Sequence, residues 1–179
     1  MFKGLGVGTI VRVVEPEPYR VCQMLDAGAM GVVAPYVETL DQVLALIGAT
    51  KLRPLKGEKL AACLEAIRAD PDGPLPVSDD VAEYMATKRE PVSLLINIES
   101  LAGIAAMPDM LRLNKWIDGV LIGPHDLSVQ VGRPRGWHSE EFHKAIDRIV
   151  ALSVEAGVGV GVHYSFDKSV EYQAKWVDA

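Results

Sequence analysis

The sequence predicts an α/β fold, because strand-like and helix-like segments alternate along the whole chain of 179 residues. Five segments rich in Val, Ile and Leu are apolar on nearly every residue, which is typical of parallel strands covered on both faces. Repeated strand–helix units with right-handed crossovers build either a doubly wound sheet or a (β/α)8 TIM barrel. The predicted strands are Leu5–Val14, Gly31–Val37, Val92–Glu99, Gly119–Ile122 and Val158–His163.

The position of the glycines favours the barrel over the doubly wound sheet. The run Gly4-Leu-Gly-Val-Gly8 precedes the first predicted strand or lies inside it, whereas a dinucleotide-binding loop follows its strand. A complete barrel needs about 250 residues. With five strands in 179 residues, the chain is either a piece of a barrel or not a barrel.

The predicted helices have recognisable ends. Thr39 and Gln42 have the spacing of a capping box, which predicts a helix over 40–47. Ser139, followed by two acidic residues, begins a longer helix that Gly157 ends. Acidic residues in its first turn predict another helix over 79–89, after a segment rich in proline and glycine.

Composition narrows the functional classes. The net charge of -6 is spread along the chain without a basic run, which argues against nucleic-acid and polybasic membrane surfaces and favours small-molecule partners. No apolar run is long enough to span a bilayer, and the start of the chain lacks a signal peptide, so we expect a cytoplasmic protein. Cys22 and Cys63 lack metal-type spacing, and Cys22 lies among apolar helical positions, where we expect a reduced, packed thiol.

Two carboxylates follow two successive predicted strands. Glu99 and Asp126 are hard oxygen ligands of the kind that Mg²⁺ or Mn²⁺ prefers, and a site with two of them leaves positions open for a 2-keto acid. Alternatively, Glu99 is a first-turn acid of a helix beginning near Ser100, and Asp126 caps the turn after Pro124.

Two further features surround these carboxylates. Gly123 and Pro124 form a tight turn that can aim the amides of His125 and Asp126 at an anion, such as the carboxylate of a keto acid. Arg12 lies in an apolar strand and needs an anionic partner. It either stabilises a developing enolate oxygen or forms a structural salt bridge.

Four segments occur in a fixed order along the chain: Ile-Val-Arg-Val at 10–13, residues 26–38, Asn-Ile-Glu-Ser at 97–100, and residues 118–128. The most specific element is Gly-Pro-His-Asp-Leu-Ser within the last of them. Taken together, the four segments resemble the HpcH/HpaI aldolase/citrate lyase family, whose members are class II metal-dependent aldolases acting on pyruvate and related 2-keto acids.

The resemblance implies specific roles for the matched residues. Glu99 and Asp126 would hold Mg²⁺, Mn²⁺ or Co²⁺, and Arg12 would contact the keto or enolate oxygen. The turn of Gly123 and Pro124, with the amides of His125 and Asp126, would receive the pyruvate carboxylate. The resemblance also implies a (β/α)8 barrel of the phosphoenolpyruvate/pyruvate superfamily and a homo-oligomeric assembly.

The chain also departs from the family pattern. The family's general-base histidine follows the second barrel strand, and here it has no counterpart, because residue 1 lies just before the strand that carries the arginine. The chain aligns with about strands 3 to 7, so residues 1–179 are expected to form one partial barrel domain from a longer product.

Three other residues are weaker candidates. His163 ends the last predicted strand and would face the same rim as the carboxylates, although it does not match the family's base position. Arg133 and Arg135 follow the proposed metal loop, and either could attract a carboxylated aldehyde or simply be solvated.

These observations predict a metal-dependent aldolase that makes or breaks 4-hydroxy-2-keto acids from pyruvate and an aldehyde. The alternatives are an acyl-CoA ester lyase of the citrate lyase type and a truncated, inactive fragment that binds a metal or keto acid. A Schiff-base aldolase is disfavoured, since Lys56 and Lys59 do not lie in an apolar strand.

Overall fold

The computed structural model describes residues 2–88, 91–163, 170–171 and 174–175. Within these ranges a five-stranded parallel sheet alternates with helices. The strands are β1 (Ile10–Arg12), β2 (Gly31–Ala34), β3 (Ser93–Ile98), β4 (Gly119–Ile122) and β5 (Val160–Val162). The helices are α1 (Pro18–Asp26), α2 (Leu40–Thr50), α3 (Gly57–Ala69), α4 (Asp79–Lys88), α5 (Leu101–Met110), α6 (Pro124–Gln130) and α7 (Glu140–Glu155). Two 3₁₀ helices span Phe2–Leu5 and Leu111–Trp116.

The strand order distinguishes a barrel section from a doubly wound sheet. The order is β1-β2-β3-β4-β5, so that each strand pairs with the next one in the chain and every pairing is parallel. A doubly wound sheet reverses its order at a switch point, whereas a TIM barrel adds its strands in sequence. The sheet therefore has the connectivity of a barrel section, as predicted.

The first strand is shorter than predicted. Only Ile10–Arg12 pairs with β2, and its partner in register begins at Gly31. Residues before Thr9 have no partner on β2, and Gly6 adopts a left-handed backbone with φ of 69°. A run of apolar residues without a neighbouring strand cannot complete its backbone hydrogen bonds as a strand. Leu5, at the start of the predicted segment, is instead the last residue of the first 3₁₀ helix.

The helix ends follow the predicted capping chemistry. Thr39 and Gln42 form a complete capping box at α2, which continues three residues beyond the predicted end at 47. Ser139 caps α7 by accepting from the Phe142 amide. Ser100 similarly caps α5, which begins directly after the strand end that carries Glu99. Both cysteines are free.

The core lies between the sheet and its helices. Leu94, Ile96 and Ile98 of β3 are fully buried, and Phe142 and Ile149 of α7 are buried with them in one continuous apolar cluster. Burying side chains of this size contributes about 1.5–3 kcal/mol each. These three residues lie on one face of β3, and their packing fixes the position of the residues that follow the strand.

Asp118 links three elements at the opposite, amino end of the sheet. Its Oδ2 accepts from the Leu94 amide of β3 at 2.7 Å and from Lys51 Nζ, just after α2, at 2.5 Å. Lys51 Nζ also donates to the Val92 carbonyl at 2.6 Å. Asp118 precedes β4, so this carboxylate joins α2, β3 and β4.

Replacing Asp118 by alanine is expected to lower the free energy of unfolding by about 1–3 kcal/mol, because the Leu94 amide and the Lys51 ammonium both lose a partner. Urea unfolding measures the change. The control is Asp72→Ala, since Asp72 is 86% exposed and pairs with Lys115 at 3.3 Å. That surface pair is expected to contribute less than about 1 kcal/mol. Equal losses in the two variants would contradict the role of Asp118.

Within the described ranges, none of the helices combines the length and the apolar character needed to cross a lipid bilayer.

Candidate active site

The carboxyl ends of the strands meet around one cavity of about 480 Å³. Parallel strands bring the residues at their carboxyl ends to the same edge of the sheet, so side chains distant in the sequence become neighbours there. The cavity contains most of the residues singled out from the sequence. Its lining comprises Arg12, Asn97, Glu99, Gly123, Pro124, His125, Asp126 and His163.

Glu99 is a buried carboxylate directly after β3. Its side chain is 1% exposed. The Asn97 side-chain amide donates to Glu99 Oε1, and Arg12 Nη2 lies 3.8 Å from the same oxygen. The Arg12 side chain, 47% exposed, extends from the end of β1. The anionic partner expected for Arg12 is therefore Glu99, which is itself a site residue.

Gly123 makes room for the Glu99 side chain. A Cβ at position 123 would lie 2.8 Å from both Cγ and Cδ of Glu99 and 3.0 Å from Oε2. Such distances are shorter than any relaxed carbon contact. Gly123 has ordinary backbone angles, with φ of -89° and ψ of 94°. It is required here for the close approach of a side chain, not for an unusual backbone conformation.

The two predicted carboxylates converge. Both line the cavity, and Asp126 lies close enough to Glu99 to change how readily Glu99 ionises. Burial, first, and then hydrogen bonding with the neighbouring Asp126 and its charge raise the pKa of Glu99 from 4.5 to about 7, while Arg12 opposes the shift. Two neighbouring carboxylates repel each other when both are ionised, and a bound cation would relieve this repulsion.

Tyr36 is a site residue that the sequence did not reveal. It follows β2, and its backbone N–H faces the Glu99 carboxylate while its phenol lies beside Asp126. Desolvation and the neighbouring Asp126 raise the pKa of Tyr36 to about 12, so the phenol keeps its proton at neutral pH. An aromatic residue at a strand end is typically interpreted as part of the core, which is why no signal identified it.

Asn97 was also missed, although a signal was present. It is the one buried polar residue of the apolar strand β3, and it is 1% exposed. Its Nδ2 donates to Glu99, but its Oδ1 is buried and has no hydrogen-bond partner in the described part of the chain. A buried carbonyl oxygen without a donor is costly, and a bound cation or water would compensate for it.

The Gly123–Asp126 turn forms the other wall of the cavity. Gly123 is the N-cap of α6 and Pro124 occupies its first turn. The Ser128 hydroxyl donates to the His125 carbonyl at 2.7 Å, and this hydrogen bond holds the backbone of the turn in place. The His125 ring contacts Trp137 edge-on, with 4.9 Å between ring centroids.

Of the three weaker candidates, the structure places one at the cavity and two outside it. His163 lines the cavity at the end of β5, where its amide donates to the Ile122 carbonyl at 3.1 Å. Arg133 pairs with Glu141 at 2.6 Å. The Arg135 amide donates to the Ser128 hydroxyl at 3.1 Å, and its backbone is left-handed with φ of 59°. Neither arginine lines the cavity.

The donor set suits a hard divalent cation. Two carboxylates and an unpaired amide oxygen are oxygen ligands, and the buried negative charge is only partly balanced by Arg12. Within the described ranges no group of three or more His, Cys, Asp or Glu residues could hold a metal ion. A metal bound here would therefore take few protein ligands and would leave coordination positions for substrate oxygens.

A larger cavity of about 1320 Å³ opens near the amino ends of β3 and β4, at the opposite end of the strands from the carboxylates. Its charged groups include two ion pairs, Lys51 with Asp118 and Arg53 with Asp26. These groups neutralise each other, and none of the residues predicted to carry chemistry lines this cavity. We therefore assign the candidate active site to the smaller cavity.

The chain is similar to several known proteins. A family model described as HpcH/HpaI aldolase/citrate lyase matches residues 1–177. The hydroxypyruvate/pyruvate aldolase of Roseovarius nubinhibens is 28% identical over 169 residues, which cover 93% of this chain and 62% of that relative. The 5-keto-4-deoxy-D-glucarate aldolase of Klebsiella pneumoniae is 26% identical over 174 residues, which cover 97% of this chain and 64% of that relative.

A solved structure shows the same fold. An HpcH/HpaI aldolase/citrate lyase family protein from Burkholderia cenocepacia J2315 superposes with a TM-score of 0.69 at 25% sequence identity, over 94% of this chain and 63% of that one. The chain thus spans a little under two thirds of the length of the relatives it matches.

Proposed function

The chain belongs to the HpcH/HpaI aldolase/citrate lyase family, and from that premise we propose that it is a metal-dependent aldolase. It would cleave or form 4-hydroxy-2-keto acids from pyruvate and an aldehyde. The observation that supports this most directly is the convergence of Glu99 and Asp126 on one cavity, where burial and the neighbouring Asp126 raise the pKa of Glu99 to about 7.

Glu99 and Asp126 would hold Mg²⁺, Mn²⁺ or Co²⁺, with Asn97 Oδ1 as a further oxygen close to Glu99. A divalent metal bound there supplies Lewis-acid polarisation of a keto group and stabilises enolate charge. A metal bound there would stabilise the ionised form of both carboxylates. The protein's contribution is to keep these oxygens close together and largely away from water.

Arg12 would stabilise the oxyanion. Its guanidinium lies 3.8 Å from Glu99 Oε1 and its side chain is half exposed, so it can reach both the carboxylate and a ligand in the cavity. A fixed positive charge placed where negative charge develops lowers the energy of an enolate more than that of the ketone. Arg12 therefore favours enolate formation without itself exchanging a proton.

The turn at Gly123 would orient the substrate. Pro124, His125 and Asp126 line the cavity, and the amides of His125 and Asp126 would donate to the carboxylate of pyruvate. The Ser128 hydroxyl holds the His125 carbonyl, which limits movement of this turn. Such fixed donors reduce the entropy lost when the substrate becomes oriented for reaction.

A second candidate function is binding of metal and keto acid without turnover. The positions of the four histidines favour it. The chain has His125, His138, His143 and His163, and none matches the general base of the family. Only His125 and His163 line the cavity. An acyl-CoA lyase is less well supported, since Arg12 is the only lysine or arginine among the described residues that line the cavity, whereas CoA phosphates favour a basic patch.

The proposed activity is tested by pyruvate release from a panel of 4-hydroxy-2-keto acids. We expect pyruvate release to stop with EDTA and to resume with excess Mn²⁺ or Mg²⁺. The variant Asp126→Asn is expected to release no pyruvate. Release that is insensitive to EDTA would contradict the metal mechanism. Mn²⁺ binding without any pyruvate release would favour the second function.

A further inference from the structure

Tyr36 has a backbone conformation that is costly for its residue type. Its φ is 48°, in the left-handed region, which residues with bulky side chains rarely adopt. Strained residues of this kind persist only where their surroundings enforce the conformation, and they concentrate at functional sites. The position therefore requires an explanation beyond packing.

The neighbours of Tyr36 hold it in this conformation. Pro35 and Val37 on either side are buried, and the Val37 amide donates to the backbone carbonyl of Asn97 at 3.3 Å. This hydrogen bond joins the chain after β2 to β3 at Asn97, two residues before Glu99. Tyr36 itself is 38% exposed, so hydrophobic burial does not account for its placement.

The contacts of Tyr36 give a functional reason for the strain. Its backbone N–H faces the Glu99 carboxylate and its phenol lies beside Asp126, each close enough to affect ionisation there. Glu99 follows β3 and Asp126 lies in α6, after β4, so the two carboxylates come from different strand–helix units. One residue of a third unit thus contacts both.

We propose that Tyr36 is a positioning residue of the metal site: its left-handed backbone directs the N–H to Glu99 and the phenol to Asp126, and so sets how the two carboxylates face each other. This inference rests on the proposed function, since it assigns the two carboxylates to a metal ion. Hydrogen bonds that orient metal ligands commonly change metal affinity by about 10–100-fold when they are removed.

Tyr36→Phe removes the hydroxyl and keeps the ring and the backbone. Mn²⁺ binding to the purified chain, measured by electron paramagnetic resonance, is expected to weaken about 10-fold or more. The spectrum of the bound ion is expected to change, because one carboxylate ligand loses its orienting partner. The urea midpoint without metal is expected to stay near that of the unsubstituted protein. The matched control is Tyr19→Phe, which alters an exposed tyrosine of α1 and should change none of these quantities.

Tyr36→Asn separates the backbone from the side chain. Asparagine tolerates the left-handed region better than tyrosine and keeps the N–H that faces Glu99. We expect this variant to fold at least as stably as the unsubstituted protein and to bind Mn²⁺ as weakly as Tyr36→Phe does.

The outcomes separate this inference from the proposed function. Mn²⁺ affinity and spectrum that are unchanged in Tyr36→Phe would overturn the positioning role while leaving the metal site intact. A lower urea midpoint in Tyr36→Phe, in proportion to the loss of affinity, would indicate a structural role and would also overturn it. If the unsubstituted protein binds no Mn²⁺, the proposed metal site itself fails.

Discussion

Replacing Gly123 by alanine is expected to weaken Mn²⁺ binding and any metal-dependent pyruvate release by about 100-fold or more. The added Cβ would lie 2.8 Å from Glu99 Cγ and Cδ, so the buried carboxylate has to move. Glu99 is 1% exposed and held by Asn97 and Arg12, which leaves it little room to shift while keeping its partners. The metal would then lose the alignment of its two carboxylate ligands.

The backbone cannot account for such an effect. Gly123 has φ of -89° and ψ of 94°, which alanine adopts without strain. The control is Gly159→Ala, because a Cβ at Gly159 meets nothing within 4 Å and its φ is not positive. Mn²⁺ titration and urea unfolding of both variants distinguish a displaced ligand from general destabilisation. Full Mn²⁺ affinity in Gly123→Ala would show that Glu99 does not need its present position.

Replacing Glu99 by glutamine is expected to abolish Mn²⁺ binding and to change how stability depends on pH. The amide has nearly the same shape as the carboxyl group but cannot supply an anionic ligand. In the unsubstituted protein, added Mn²⁺ should raise the unfolding midpoint, because the ion binds the folded state. No such increase is expected for Glu99→Gln.

The sign of the pH effect follows from the pKa of Glu99, which burial and Asp126 raise to about 7. Between pH 4.5 and 7 the folded state holds this proton while the unfolded state releases it. The free energy of unfolding without metal therefore falls as pH rises through this range. Glutamine does not titrate, so from pH 4.5 to 8 the variant should gain about 1–3 kcal/mol relative to the unsubstituted protein.

Urea unfolding at pH 5 and pH 8, in the presence of EDTA, measures this difference. The control is Glu155→Gln, since Glu155 is an exposed acid at the end of α7. Parallel pH profiles for Glu99→Gln and the unsubstituted protein would show that Glu99 is ionised in the folded state across the whole range. The raised pKa of Glu99 would then be absent.

The architecture could be predicted from the sequence because its signals are local. The regions of all five strands were identified by their apolar runs, and the ends of α2 and α7 by capping residues at fixed spacings. The length of β1 could not be predicted, since it depends on where its partner begins at Gly31. Pairing is a property of two segments, and apolar content in one of them does not determine it.

The candidate site was predictable to the extent that chemistry follows strand ends. Arg12, Glu99 and Asp126 were recognised as polar residues bordering apolar runs, and the structure brings all three to one cavity. Tyr36 could not be recognised, because its left-handed backbone is imposed by its neighbours and is not the conformation that tyrosine prefers. The Lys51–Asp118 pair likewise joins residues 67 positions apart, and neither lies in a motif that signals the other.

The exposed loop of residues 132–136 differs in its support from the strand ends that carry Arg12 and Glu99. Arg12 and Glu99 are anchored at strand ends, whereas Arg133 and Arg135 belong to an exposed surface segment. The backbone amides of these two arginines donate to Ser128, and their side chains are not part of the core that supports Glu99. The side chains of this loop can therefore diverge over evolution while the cluster around Glu99 is retained.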